Sequence, residues 1–353
     1  MTTGRYIKNA WVTLNRACNL RCRWCYAAKT GYRAADDMPF ELFCEIVDLV
    51  SELGVKSVTL TGGEPTIYPQ ILEAIRYCKD HSLDVNLPTN GLVFASRERV
   101  EEYSAIGVNA VGMSVKAHDR QSHIDATGID CFDDVVGAIQ NLSQQDRMKF
   151  MIVTVVTSDN KDHVADVLRM AKGAGASLFG LQAYRGFGCP DGSGERYCRS
   201  DIQKNVVELA DYFASHVEEL SAITENRILV DYALPQCLWP KEFANMLDEH
   251  HWLKGPCQLH RHDGLIFDTA GYVLHCNAMP DIRLGRIRED FSDRESFWAF
   301  WSSRKVEDAF SAWNQVPDER CNSCDRYEKC RGCCDSNLLN YSFDDIRGYL
   351  PKD

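Results

Sequence analysis

From residue 10 to about 185, short apolar runs of strand type alternate with longer stretches whose apolar residues recur at helical spacing. That is the pattern of consecutive βα units wrapped on a parallel sheet. Strands are predicted at 10–14, 57–61, 84–87, 110–115, 150–156 and 177–182. Pro39 opens a helix that sets Leu42, Phe43, Ile46, Val47, Val50 and Leu53 on one face before Gly54 stops it. Further helices are predicted at about 69–81, between 91 and 110, at 133–142 and at 162–172. The run Phe150 to Val156 is almost continuously apolar, which predicts a strand buried on both faces. Residues 183–200, with four glycines and a proline, break the rhythm as a long loop suited to substrate contact. A helix at 202–220 and a strand at 227–232 then lead to a hairpin over 265–275, turning at Asp268 to Gly271. An aromatic helical stretch follows, with Phe297, Trp298, Phe300, Trp301, Phe310 and Trp313 as core.

These periods divide the chain into an α/β unit at 1–200, a helical and strand bridge at 201–255, and a cysteine-rich unit at 256–353. Six strands with candidate functional groups at their C-terminal ends fit an open (β/α)6 barrel. The alternation stops too early for a closed barrel of eight units. At 353 residues the chain has ample length for about two cores. It holds no run of the roughly 20 apolar residues a membrane span needs, and its first residues lack the apolar core of a signal peptide, so a cytoplasmic protein is expected. The net charge is -12 and the basic residues are scattered, which argues against nucleic acid as a partner.

Sixteen cysteines change the picture, because in a reducing compartment such a number points to metal or cluster ligands rather than disulfides. Cys18, Cys22 and Cys25 have the spacing C-x3-C-x2-C and can point three sulfurs into one small volume. A cubane iron-sulfur cluster needs four ligands, so one iron is left open, as in a catalytic rather than a structural metal site. The alternative is three buried thiols or half a zinc site. Seven cysteines lie between 257 and 334, five of them at Cys321, Cys324, Cys330, Cys333 and Cys334. The solitary Cys44, Cys78 and Cys131 read as core packing.

The first triad, with Trp24 ahead of its last cysteine, resembles the signature of the radical S-adenosylmethionine (SAM) enzymes, whose open iron takes the amino and carboxylate groups of SAM. The resemblance implies the partial (β/α)6 barrel. It also gives Gly62-Gly63-Glu64-Pro65, at the end of the second strand, the role of the family's SAM-amino contact. By the same likeness Ser114 is placed as the ribose contact, Asn90 lies at the end of the third strand, and Trp24 and Tyr26 flank cluster and adenine. Lys116 and Gln182 are pocket candidates by strand position alone. A buried hydrogen-bonding role is the alternative for each of these.

Cys257, then Gly271-x4-Cys276, then Cys321, Cys324, Cys330 and Cys334 resemble the SPASM and twitch extensions that carry auxiliary 4Fe-4S clusters, as does Leu284-Gly-Arg-Ile287. No cysteine follows Cys334 to supply the distal ligand, for which Cys333, Asp344 or Asp345 are candidates, and only His260 and His262 occupy the stretch where a second early cysteine is expected. Two auxiliary clusters, or one on Cys257, Cys276, Cys321 and Cys324, both remain open. A zinc knuckle of Cys321, Cys324, Cys330 and Cys333 is the alternative.

The resemblance implies reductive SAM cleavage to a 5′-deoxyadenosyl radical, with flavodoxin or ferredoxin as electron donor, and oxidative modification of a substrate by cross-linking, dehydrogenation or epimerisation. A ribosomal peptide or protein side chain is the expected substrate, with a small molecule such as an aminocyclitol as the alternative. The triad begins at residue 18, leaving no room for a separate N-terminal leader-binding domain, which counts against the peptide. Asn277 stands where sulfatase-maturing enzymes carry a catalytic aspartate, so formylglycine formation is not expected. The molybdenum-cofactor cyclase fits less well, since its C-terminal cysteine spacing differs. Cys189, Cys198 and Cys237 are candidate hydrogen donors for an epimerase. A non-catalytic zinc or iron-sulfur binding protein is the reading from another class.

Overall fold

The computed structural model describes residues 6–25, 27, 36–185, 203–231, 234–254, 257–313, 315–335, 337–339 and 341–350. Tyr26, Cys189 and Cys198 lie outside the described residues, as does most of the predicted loop. Seven parallel strands run side by side in chain order: β1 (Asn9–Asn15), β2 (Ser57–Gly62), β3 (Asp84–Thr89), β4 (Val108–Ser114), β5 (Lys149–Val156), β6 (Phe179–Ala183) and β7 (Ile228–Asp231). The connecting helices are α1 (Phe40–Glu52), α2 (Ile71–Asp80), α3 (Arg97–Ala105), α4 (Arg120–Thr127), α5 (Phe132–Ser143), α6 (Val164–Gly173) and α7 (Glu208–Ile223). The six predicted strands agree with β1 to β6 to within two residues at either end, and the bridge region supplies a seventh.

One face of this sheet is covered by helices, with Leu42, Phe43, Ile46, Val47 and Val50 of α1 buried as the helical period predicts. The other face lines the barrel interior. In β5 it leaves Met151, Val153 and Val155 only partly buried while Ile152, Thr154 and Val156 are buried. The expectation of burial on both faces is therefore corrected: an open barrel has a hollow on its inner side, and an apolar run can face it. Polar side chains share that inner face, among them Thr13, Thr59, Thr61, Asn86, Ser114 and Gln182.

The C-terminal hairpin is not a separate sheet. Strands β8 (Gly264–Phe267), β9 (Tyr272–Cys276) and β10 (Met279–Arg286) continue the barrel sheet from its first edge, giving the order β10-β9-β8-β1-β2-β3-β4-β5-β6-β7. β8 runs parallel to β1, with Ala10 opposite Leu265 and Val12 opposite Phe267. Asp268 Oδ1 accepts from the backbone of Ala270 and Tyr272, each at 2.9 Å, and so shapes the predicted turn. The join is clamped from the helix side, where Arg288 donates through Nε and Nη2 to the two carboxylate oxygens of Glu45 in α1 at 2.7 and 2.6 Å. Phe297, Trp298, Phe300 and Phe310 are buried as core. No helix among the described residues is long and apolar enough to cross a membrane.

Candidate cluster and cofactor site

The first cysteine loop leaves the C-terminal end of β1 and is pinned on two sides. Arg21 N and Arg23 N donate to Thr127 O and Ala126 O at the end of α4, at 2.8 and 3.1 Å. On the opposite side the turn after β2 lies directly against it. Gly63 N donates to Asn15 O at 3.1 Å and Glu64 N to Ala17 O at 2.8 Å. A Cβ on Gly62 would stand 2.1 Å from Asn15 Oδ1, and one on Gly63 would stand 2.2 Å from Ala17 O. Glycine is required at 62 by the Asn15 side chain and carbonyl and at 63 by the Ala17 carbonyl.

Glu64 is the buried anchor of this arrangement. Its Oε1 accepts from Thr66 N at 3.1 Å, Thr66 Oγ1 at 2.7 Å and Thr89 Oγ1 at 2.7 Å, and its Oε2 accepts from Asn90 N at 2.7 Å. Burial raises its carboxyl above the ordinary range, and the donors on Asn90, Thr66 and Thr89 pull against that rise. Asn90 Nδ2 then donates to Asn19 Oδ1 inside the cysteine loop at 2.6 Å. Glu64 thus reaches the loop through Asn90, and both stand at strand C-termini.

Within the loop the Cys18 thiol is pushed up to about 11 by burial, and it also feels the negative charge of Glu64, Cys22 and Cys25. Burial raises Cys22 too, while Lys116, just beyond β4, lowers it. Three cysteines of one loop whose thiols lie within electrostatic reach of one another, with Lys116 beside Cys22, form a donor set that suits a cluster of iron. The residues present fit the 4Fe-4S group. Trp24 is partly buried, and Ser114 ends β4 on the inner face. Gln182, on the inner face of β6, donates through Nε2 to Asp231 Oδ2 at 3.3 Å, as part of a network at the ends of β6 and β7.

In that network Asp231 Oδ2 also accepts from Arg185 Nη2 at 2.7 Å and Lys254 Nζ at 3.3 Å. Burial pushes the Asp231 carboxyl up, but Arg185 and Lys254 outweigh it and hold it below the ordinary value. Arg185 in turn feels the thiols of Cys334, Cys276 and Cys257. The C-terminal cysteines therefore sort into two sets. In the nearer one, burial drives Cys276 well above the ordinary thiol range, with Cys334 and Cys257 adding to the rise. Asn277, next in the chain, accepts at Oδ1 from Thr13 Oγ1 of the barrel interior at 3.4 Å. Behind this set, Asp335 is paired with His260 at 2.6 Å and His275 at 3.5 Å.

In the farther set, burial raises Cys321 and the neighbouring Cys330 and Cys324 add to it. Cys237, exposed at its surface, lies within electrostatic reach of Cys330 and Cys321 of this set. Cys333, expected as a ligand, turns away. Its Sγ lies 3.3 Å from Tyr341 Oη in the core, where it is 2 % exposed. No local signal marks Cys237 as a partner of cysteines more than eighty residues on; only the missing fourth sulfur pointed to such a residue.

The Radical SAM superfamily profile matches residues 12–171. Those residues form a radical SAM domain. The chain is 32% identical over 177 residues to a probable GTP 3',8-cyclase of Pyrococcus abyssi, a match covering 50% of this chain and 56% of that one. It is 30% identical over 171 residues to the AdoMet-dependent heme synthase of Methanosarcina barkeri, covering 48% of each. The chain thus spans about half the length of the curated relatives it matches. Among solved structures it is similar to Streptococcus suis SuiB bound to the precursor peptide SuiA, with a TM-score of 0.69 at 16% identity over 96% of this chain and 74% of that one. It is also similar to anSMEcpe with bound AdoMet and the Kp18Cys peptide, with a TM-score of 0.64 at 19% identity over 92% of this chain and 88% of that one. Those likenesses show the fold. Radical SAM proteins take a 4Fe-4S cluster and SAM, and the superfamily is one of enzymes.

Proposed function

We propose that this radical SAM enzyme oxidatively modifies a peptide or protein side chain held in the barrel interior, between the Cys18, Cys22 and Cys25 loop and a SPASM-like C-terminal unit. When bound at the first triad, a reduced cluster with SAM supplies a 5′-deoxyadenosyl radical. The chain's own part is to bind and orient. Gly62 and Gly63 bring the backbone up to the loop, Glu64 and Asn90 hold it in place, and Lys116 sets a cation beside Cys22. Ser114 is the proposed ribose contact.

One observation carries the choice of substrate. Arg185, Asp231 and Lys254 stand at the strand ends on the side of the Cys257, Cys276 and Cys334 set, and both cations are already paired with one carboxylate. Such a rim keeps only one positive charge in excess, which suits an amide backbone with mixed side chains better than the several negative charges of a nucleoside triphosphate. The fold likeness to SuiB and anSMEcpe, both solved with peptides and matched over 96% and 92% of this chain, favours the same reading over the cyclase named among the half-length relatives. A cluster held by Cys257, Cys276 and Cys334 would give the substrate's second electron a place to go.

The test is anaerobic reconstitution with iron and sulfide, followed by SAM and dithionite. The wild-type chain is expected to form 5′-deoxyadenosine, and Cys18→Ala, Cys22→Ala and Cys25→Ala to form none. Peptides encoded beside the gene should raise that formation and return with two hydrogens fewer. A cyclised purine product from GTP alone would overturn the peptide assignment.

A further inference from the structure

The motif Cys321-x2-Cys324-x5-Cys330 provides three ligands for a cluster that requires four. The candidates near it in sequence are occupied elsewhere. Cys333 faces Tyr341 in the core. Asp345 Oδ2 accepts from Ser342 N and Oγ at 2.8 and 2.9 Å, and Asp344 Oδ1 accepts from Arg347 at 2.6 Å.

A thiol arrives instead from the segment between β7 and the hairpin. Gln236, Cys237 and Leu238 form a single tight helical turn in which the flanking residues are buried and Cys237 is exposed. The turn is fixed against the cysteine motif at several points. Gln236 N donates to Cys330 Sγ at 3.4 Å. Arg326, inside the motif, donates through Nε to Gln236 Oε1 at 2.8 Å and through Nη2 to Asp248 Oδ2 at 3.1 Å. Lys329 Nζ donates to the same Asp248 oxygen at 2.7 Å. The two stretches form one ligand-bearing unit, and the Cys237 thiol lies within electrostatic reach of Cys330 and Cys321.

We propose that Cys237 is the fourth protein ligand of a four-iron cluster held with Cys321, Cys324 and Cys330. This rests on reading the C-terminal cysteines as cluster ligands. Four thiolates leave no iron open, so this cluster passes electrons and does not bind substrate, and its ligand set straddles the boundary between the bridge and the cysteine-rich unit.

The experiment uses the full-length chain with Cys18, Cys22 and Cys25 replaced by alanine, so that only C-terminal clusters remain, reconstituted anaerobically and read by iron and sulfide content and by electron paramagnetic resonance after dithionite. Adding Cys237→Ala is expected to remove about four irons per chain, or to leave a three-iron signal in place of one cluster. Cys330→Ala should do the same, and Cys333→Ala should leave iron and spectrum unchanged. The unfolding midpoint of the apo form of Cys237→Ala should match its parent, which separates ligand loss from misfolding. A background that binds no iron would overturn the auxiliary-cluster reading itself. A background that binds iron which Cys237→Ala leaves untouched would overturn only the assignment of Cys237.

Discussion

Replacing Glu64 by glutamine changes one atom, and the structure says what that atom does. The carboxylate accepts four hydrogen bonds, three at Oε1 and one at Oε2. A glutamine offers one accepting oxygen and one amide that donates. With the oxygen toward Thr66 and Thr89, the amide faces Asn90 N, and two donors confront each other. With the amide reversed, the Thr66 N–H loses its acceptor while the hydroxyls rotate to receive. Either orientation leaves one backbone donor unpaired, at about 1–3 kcal/mol. The remaining bonds become neutral ones, worth roughly half as much. Relief from burying a charge offsets part of this, so a net loss of about 2–4 kcal/mol is expected. Urea unfolding of the reduced apo protein, followed by far-ultraviolet circular dichroism, measures it. Because Asn90 holds Asn19, the same variant should take up less iron at the first triad. A loss under about 0.5 kcal/mol, below the value of one ordinary hydrogen bond, would refute the anchoring role of Glu64.

Gly63→Ala forces a Cβ against the Ala17 carbonyl, and neither backbone can yield without giving up the Glu64 N to Ala17 O bond; expect about 1–3 kcal/mol less stability in the same assay, and first-site iron loading below that of wild type. Asp231→Asn should cost about 1–3 kcal/mol at neutral pH, since Arg185 loses its partner. The Asp231 carboxyl is held below its ordinary 3.8, so the paired contribution is present above that pH and is lost as pH falls through the lower, folded value. The gap between wild type and Asp231→Asn in apo unfolding should therefore stay constant from neutral pH to about 5 and narrow below about 4. A gap that widens in acid would contradict the pairing.

Strands β1 to β6 were legible because β-branched apolar runs alternate with amphipathic helices, a signal that needs no knowledge of tertiary contacts. α4 was not read: its apolar residues are few, although Asp119 accepts from Ser122 N as its cap and Gly128 ends it, and those two positions were visible. The pairing of β8 with β1 joins residues some 250 positions apart, and no local period encodes a partner at that distance. The cysteine triad and Gly62-Gly63-Glu64-Pro65 could be read from spacing because both lie on single loops. The placement of Cys237 beside the Cys321 motif and of Cys333 against Tyr341 could not, since it depends on which way a thiol points after distant segments dock. Gln182 shows the same limit, for its strand position was right and its partner Asp231 belongs to the next strand.

The hydrogen-bonded seam between β1 and β8 makes the two halves of the molecule hard to exchange. A chain cut before residue 257 would leave the first barrel strand with a bare row of amides and carbonyls, an invitation to aggregate. Anyone grafting the cysteine-rich portion from a relative onto this barrel would have to transplant the pairing of Ala10 with Leu265 along with it, because a slip of one residue turns every side chain of that strand to the wrong side.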